Sequence, residues 1–182
     1  MISEAMGMKE FIQKSGTLGS NVPIITEDWA RDSFENCLFS MFAFCHATGH
    51  YPERFTAVSW RFKANRILLV GNALGIPNFE FVGVENPDSR NLLHAICAET
   101  GYLASLLHYQ TQTLVDPFHR TSAFEDKRQG RMPRKYERNS SAYLRDVGAA
   151  YARARGIGEA IEAVSTVKPG DGWQAIRWPW QG

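Results

Sequence analysis

Apolar and polar positions alternate along the first hundred residues in two different periods. Ile2, Met6, Met8, Phe11 and Ile12 stand between polar residues at a spacing that predicts an amphipathic helix over 2–14. Gly16 and Gly19 break it, and Val22 to Ile25 then reads as a short buried strand. The clearest helical period runs through Phe34, Cys37, Leu38, Met41, Phe42 and Cys45 and predicts a helix over about 33–48. Asp32 or Ser33 stands where a cap accepts the first N–H groups, Glu35 suits the positive end of the helix dipole, and Gly49 followed by Pro52 marks the stop. Phe55–Trp60 and Phe79–Val84 are β-rich runs, read as strands, and Phe62–Leu74 reads as a helix whose last turn Gly71 weakens. A further helical stretch is expected over 89–109, with Leu92, Leu93, Ile96, Leu103, Leu106 and Leu107 as its apolar set. Helices alternating with strands in this way predict an α/β fold, a parallel sheet covered by helices with right-handed crossovers.

The pattern changes after residue 115. Residues 116–140 read as a basic, irregular segment with few apolar positions; 120–138 holds seven Lys and Arg against three acids. Without interleaved aromatic side chains this reads as a solvated or docked arm, and nucleic acid is not the expected partner. A helix over 141–164 follows, with Gly156 and Gly158 placed to split it, and the tail carries Trp173, Trp178 and Trp180, which should pack back on the domain. The organisation expected is an α/β domain over 1–115 and a basic segment, helix and Trp-rich tail over 116–182 packed on it.

The chain has 182 residues, 44% hydrophobic and 21% charged, enough apolar material for one core. A formal charge of +1 gives no field to recruit nucleic acid or an anionic membrane. No apolar run approaches the ~20 residues that span a bilayer. The amino terminus has no leader pattern, so a cytoplasmic location is expected. Cys37, Cys45 and Cys97 form no C-x-x-C pair; reduced core thiols are the reading, with Cys37 and Cys45 on one helix face. His46 and His50 have metal-compatible spacing, but the helix ends between them and no third ligand is evident. No nucleophile elbow or phosphate-binding glycine loop is present, and Ser33 has no nearby histidine to activate it.

Three ordered blocks carry a family resemblance: Ser3-Glu4-Ala5, then Glu27-Asp28-Trp29-Ala30-Arg31-Asp32-Ser33-Phe34-Glu35-Asn36, then Val58-Ser59-Trp60-Arg61-Phe62-Lys63-Ala64-Asn65-Arg66. In order and spacing they resemble the S-E-A, E-x-x-S-x-[DN]-[ST]-x-E-N and S-x-x-[HK]-x-x-R blocks of the DUF218 (YdcF-like) family, closest to its eukaryotic branch. Asp116-Pro117-Phe118 and the Lys127 to Pro133 stretch are similar to that branch's carboxy-terminal extension. The resemblance implies a Rossmann-like three-layer α/β/α domain with a mostly parallel sheet and a helical carboxy-terminal extension. It also implies an amino-terminally truncated version, because the family has two strands with glycine-rich turns before the S-E-A helix. A sheet lacking them would expose an edge through which chains could self-associate. Ala30 stands where the family usually has Ser. No general reaction is established for the family, and one bacterial relative is similar to proteins that bind S-adenosylmethionine, which makes that molecule the cofactor the resemblance suggests.

Open α/β sheets bind ligands beyond the carboxyl ends of their strands. Glu27 after the first expected strand, Asp32, Ser33 and Asn36 at the next helix start, and Ser59, Lys63 and Arg66 after the second strand would gather at one rim. Ser3 and Glu4 join them through the resemblance. Carboxylates facing Lys63 and Arg66 suit a polar ligand of mixed charge, nucleotide-like or S-adenosylmethionine-like. Glu27 is the best general-base candidate should the site be catalytic. The other reading is an interaction module or fragment that has lost the ligand site.

Overall fold

A computed structural model of the chain describes residues 3–19, 21–84, 112–136, 139–167 and 176–182. The expected helix over 89–109, Cys97 and Trp173 lie outside them.

Helix α1 (Glu4–Ser15) starts where Ser3 Oγ accepts the Met6 N–H at 3.1 Å and stops at Gly16, whose φ is 63°. It buries no residue; Met8 and Phe11 are exposed. The expected strand over 22–25 does not form. Pro23 removes a donor from the middle of the run, and Val22 and Ile25 are about half exposed in an unpaired connection. Glu27 therefore follows a loop, not a strand.

Helix α2 (Ser33–Thr48) is the centre of the molecule. Asp32 Oδ1 caps it by accepting the Glu35 N–H at 2.9 Å, and Gly49 at φ 86° closes it. Phe34, Leu38, Phe39, Met41, Phe42 and Cys45 are all but inaccessible. Each fully buried side chain of this size contributes roughly 1.5–3 kcal/mol. The row Ser33, Asn36, Ser40 and Phe44 lies outside the core, as do His46, Ala47 and Thr48 in the last turn.

Strands β1 (Phe55–Trp60) and β2 (Phe79–Val84) pair in parallel, Phe55 opposite Phe79 through to Trp60 opposite Val84. The connection is a single 3₁₀ turn (Arg61–Lys63) followed by helix α3 (Ala64–Ala73). Gly71 has a packing role: a Cβ there would lie 2.5 Å from the Phe79 ring, so its absence brings α3 against β2. The strands alternate: Phe55, Ala57, Phe79 and Phe81 pack on the core, while Val58, Val82 and Val84 on the opposite face remain 65%, 49% and 46% exposed. The molecule is thus mixed α/β, with a two-stranded parallel sheet among the described residues.

The segment read as irregular contains helix α4 (Ser122–Gly130), followed by a 3₁₀ turn (Arg134–Tyr136). Its sequence hides the helix because only Phe124 and Arg128 turn inward. The long helix expected next is two: α5 (Ser140–Ala150) and α6 (Ile157–Thr166), separated where Gly156 adopts φ 68°. Tyr143, Val147 and Trp178 join the same core as α2 and α3. Trp178 stacks on Trp180, and their Nε1–H groups donate to the Ala73 and Leu74 carbonyls at 3.1 and 2.7 Å. The tail thereby satisfies two carbonyls at the carboxyl end of α3. No helix among the described residues is long and apolar enough to cross a membrane.

Candidate functional site

The outer row of α2 borders open space on both sides. Cleft one, about 390 Å³, is lined by Ser3, Glu4, Glu27, Asp28, Asn36 and Arg131, among others. Cleft two, about 370 Å³, is lined by Ser33, Asn36, Ser40, Ser59 and Lys63 together with β1 residues 55–58. Asn36 belongs to both, and it is exposed.

Cleft one is acidic. Glu4, Glu27 and Asp28 outnumber Arg131, the guanidinium of Arg31 being spent on Glu35. The carboxylate of Glu27 anchors the following turn: Oε1 accepts the Trp29 N–H at 2.6 Å, and Oε2 accepts the Ala30 N–H at 3.1 Å. Tyr151 Oη donates to Oε1 at 3.3 Å. Burial raises the Glu27 pKa against the lowering effect of these bonds. Ser3 Oγ donates to Asp28 Oδ1, which ties the start of α1 to the cleft wall. Arg131 Nη1 donates to the Arg31 carbonyl at 2.8 Å, so the basic segment supplies a cation that the sequence reading left out of the site.

Cleft two offers hydroxyl and amide groups with one cation, Lys63. The rim expected from the sequence therefore gathers in two linked halves. Ser3, Glu4 and Glu27 meet Asn36 on one side; Ser33, Ser59 and Lys63 meet it on the other.

Asp32 and Arg66 do not join either half; each is 2% exposed and faces the interior. The 3₁₀ turn over 61–63 precedes α3, so Lys63 and Arg66 are not placed on one face of a continuous α-helix as the three-residue spacing suggested. Asp32 instead centres a buried ionic network. Its Oδ2 accepts from Arg128 Nη1 at 2.9 Å and lies 3.2 Å from His119 Nδ1. Arg128 Nη2 also donates to Glu125 at 2.9 Å. Alongside, Arg31 grips Glu35 with Nε and Nη2, while its guanidinium carbon lies 4.0 Å from the Tyr143 ring centroid.

Burial alone would raise the Asp32 pKa, but His119 and Arg128 outweigh it and hold the carboxyl well below its usual range. Burial lowers that of His119, with Arg128 and Arg66 reinforcing the shift against the pull of Asp32. The imidazole is therefore neutral at pH 7. Nδ1 faces Asp32 at 3.2 Å without an aligned hydrogen bond, and Nε2 shares a hydrogen bond of 3.3 Å with the Thr113 hydroxyl. Asp32, His119 and Thr113 reproduce the order of an acid–base relay, yet all three are 0–2% exposed, so no substrate reaches the hydroxyl. The ring also stacks on Phe124 with centroids 3.6 Å apart. This network locks the basic segment onto the start of α2.

Other candidates have structural partners. His46 Nδ1 lies 3.4 Å from the Arg153 N–H, His50 packs edge-on against Phe44, and no metal-binding group of His, Cys, Asp and Glu occurs among the described residues. Cys37 and Cys45 are buried free thiols, and burial pushes Cys37 up to about 12. Comparison with known proteins returned no matching family model, no matching curated protein and no matching solved structure.

Proposed function

We propose that this chain is a DUF218-like domain, Rossmann-like in its three-layer plan, that binds a small polar molecule of mixed charge across clefts one and two. The observation that carries the reading is the position of Asn36. It is shared by a cleft rich in carboxylates and a cleft holding Lys63 among hydroxyls. A ligand with an amine or sulfonium at one end and a carboxylate or phosphate at the other matches that polarity. Nucleotide-like and S-adenosylmethionine-like molecules are the class. Asn36 supplies an amide that both donates and accepts, Lys63 holds the anionic end, and Glu4, Glu27 and Asp28 set the potential at the cationic end. Glu27, with its raised pKa, is the general-base candidate for any reaction there.

Isothermal titration with S-adenosylmethionine and a nucleotide panel tests this. Binding should weaken about tenfold or more in Lys63→Ala and Asn36→Ala, the loss expected for a charge-assisted hydrogen bond of ~1.5–3 kcal/mol. Silence across the panel, or titrations indifferent to both substitutions, counts against the reading.

One observation favours a second reading, an interaction module. Residues 55–59 of β1 line cleft two consecutively, whereas side chains of a strand face alternate. Cleft two therefore runs along the strand's edge, and β2 is the only strand paired with β1 among the described residues. Such an edge accepts an added strand, including one from a second copy. Light scattering after size exclusion should then show a dimer that an edge-blocking Ala57→Pro disperses; a monomer at all concentrations removes self-association.

A further inference from the structure

Ser40, Phe55 and Thr56 line cleft two and also a third hollow, cleft three, of about 270 Å³. Cleft three adjoins cleft one as well, through Glu27. The outer row of α2 is therefore flanked by open space from Ser33 to Phe44, and the row turns from polar to aromatic at the cleft-three end. The walls change with it. Ile25, Ala43, Phe44, Pro52 and Phe55 supply apolar surface, and Arg54 and Glu27 are the charged members. Ile25 remains 44% exposed and Phe44 is half-buried, so this apolar surface faces water that holds it weakly. A ligand group that displaces such water gains affinity if it is apolar itself.

We propose that cleft three receives the base of a nucleotide-like ligand, a flat aromatic heterocycle, while the charged groups of the same ligand lie in clefts one and two; this rests on the reading of those two clefts. Pockets that enclose a whole organic ligand run to roughly 300–1,000 Å³, so the smaller cleft three suits a part of one. Its polar groups decide which part. Arg54 offers donors alone, and the Ser40 and Thr56 hydroxyls donate or accept. Glu27 Oε2 accepts the Ala30 N–H, and a carboxylate oxygen has room for a second donor. A base presents donors and acceptors around the edge of an apolar ring face, which matches this set. An alkyl chain would cover the same groups and pair none of them, at a cost. The ligand class thereby narrows from any polar molecule of mixed charge to one that carries a base. Phe44 and Ile25 become its specificity-determining contacts, distinct from Lys63 at the anionic end.

The test is calorimetric titration of the full chain with matched pairs of compounds, one member of each lacking the base. Adenosine, guanosine and cytidine monophosphates are set against ribose 5-phosphate, and S-adenosylmethionine against methionine. At least one base-bearing compound should bind about tenfold or more tightly than its partner, the gain typical of a base against an aromatic side chain. Phe44→Ala and Ile25→Asn should remove that gain and leave the base-free partner unchanged. Ile25 stands half-exposed in an unpaired connection, so Ile25→Asn keeps the test valid should Phe44→Ala disturb the end of α2. Lys63→Ala should weaken both members of the nucleotide pair alike. Equal binding within each pair, still lost in Lys63→Ala, would overturn the base site and leave the polar reading of clefts one and two standing. A gain that depends on Phe44 and Ile25, with binding indifferent to Lys63→Ala, would uphold the base site and remove the polar reading. A full absence of binding overturns both.

Discussion

Asp32 shows how one side chain serves two levels of structure. Oδ1 caps α2, and Oδ2 receives Arg128 from 96 residues away. Removing one partner of a buried pair strands the other charge, so Arg128→Met should cost about 3–5 kcal/mol in urea unfolding. His119 gives this cluster a pH dependence. Its folded pKa lies below the ordinary 6.5, so the unfolded chain takes up a proton first as pH falls. Stability from His119 is therefore complete above about 6.5 and declines as pH drops toward its folded value. Asp32, also depressed, adds a second decline, beginning lower, near its ordinary 3.8. Melting temperatures between pH 7 and 5 should fall in the native chain, and His119→Phe, which retains a ring against Phe124, should flatten that slope. An unchanged slope would place the titrating group elsewhere. The cap was legible in the sequence because capping is local, and Asp32 sits beside the apolar period it starts. Arg128 and His119 were not, because nothing near them in the chain marks a partner in α2; Arg128 merged into a run that looked solvated.

At the scale of elements, local periodicity located α2, β1, α3 and β2 almost to the residue. In α2 most apolar positions meet the core, and in β1 and β2 every second position does, while Val58, Val82 and Val84 face away from it. Pattern failed where the deciding interaction was absent or distant. Val22–Ile25 has strand composition but no paired neighbour in the sheet of the described residues. Helix α4 presents two inward residues, one of them charged, and so carries little apolar period. Gly156 was recognisable as a break, though the reason is tertiary. Besides its positive φ, a Cβ there would lie 2.6 Å from Pro179 Cγ. Gly156→Ala should therefore cost at least about 1–2 kcal/mol from the left-handed backbone alone. Chemical denaturation should show it, whereas Gly158→Ala, with open space around it, should be neutral or slightly stabilising.

At the scale of the molecule, the two stretches drawn apart in the sequence share one interior, since Tyr143, Val147 and Trp178 complete the core that α2 and α3 begin. The candidate site was legible as a set of residue types but not as a shape. Its polar residues surround Asn36 in two clefts, and Arg131 arrives from the basic segment to close one of them. Arg66 left the set because a 3₁₀ turn precedes α3, a change of helical period that residue spacing cannot display.

The 96-residue reach from Arg128 to Asp32 has a consequence for dissection of the chain. A protease nick between 115 and 122 would separate a carboxylate sealed in apolar surroundings from the guanidinium that neutralises it. The cut would yield two halves of one folding unit that hold their structure only while they stay together.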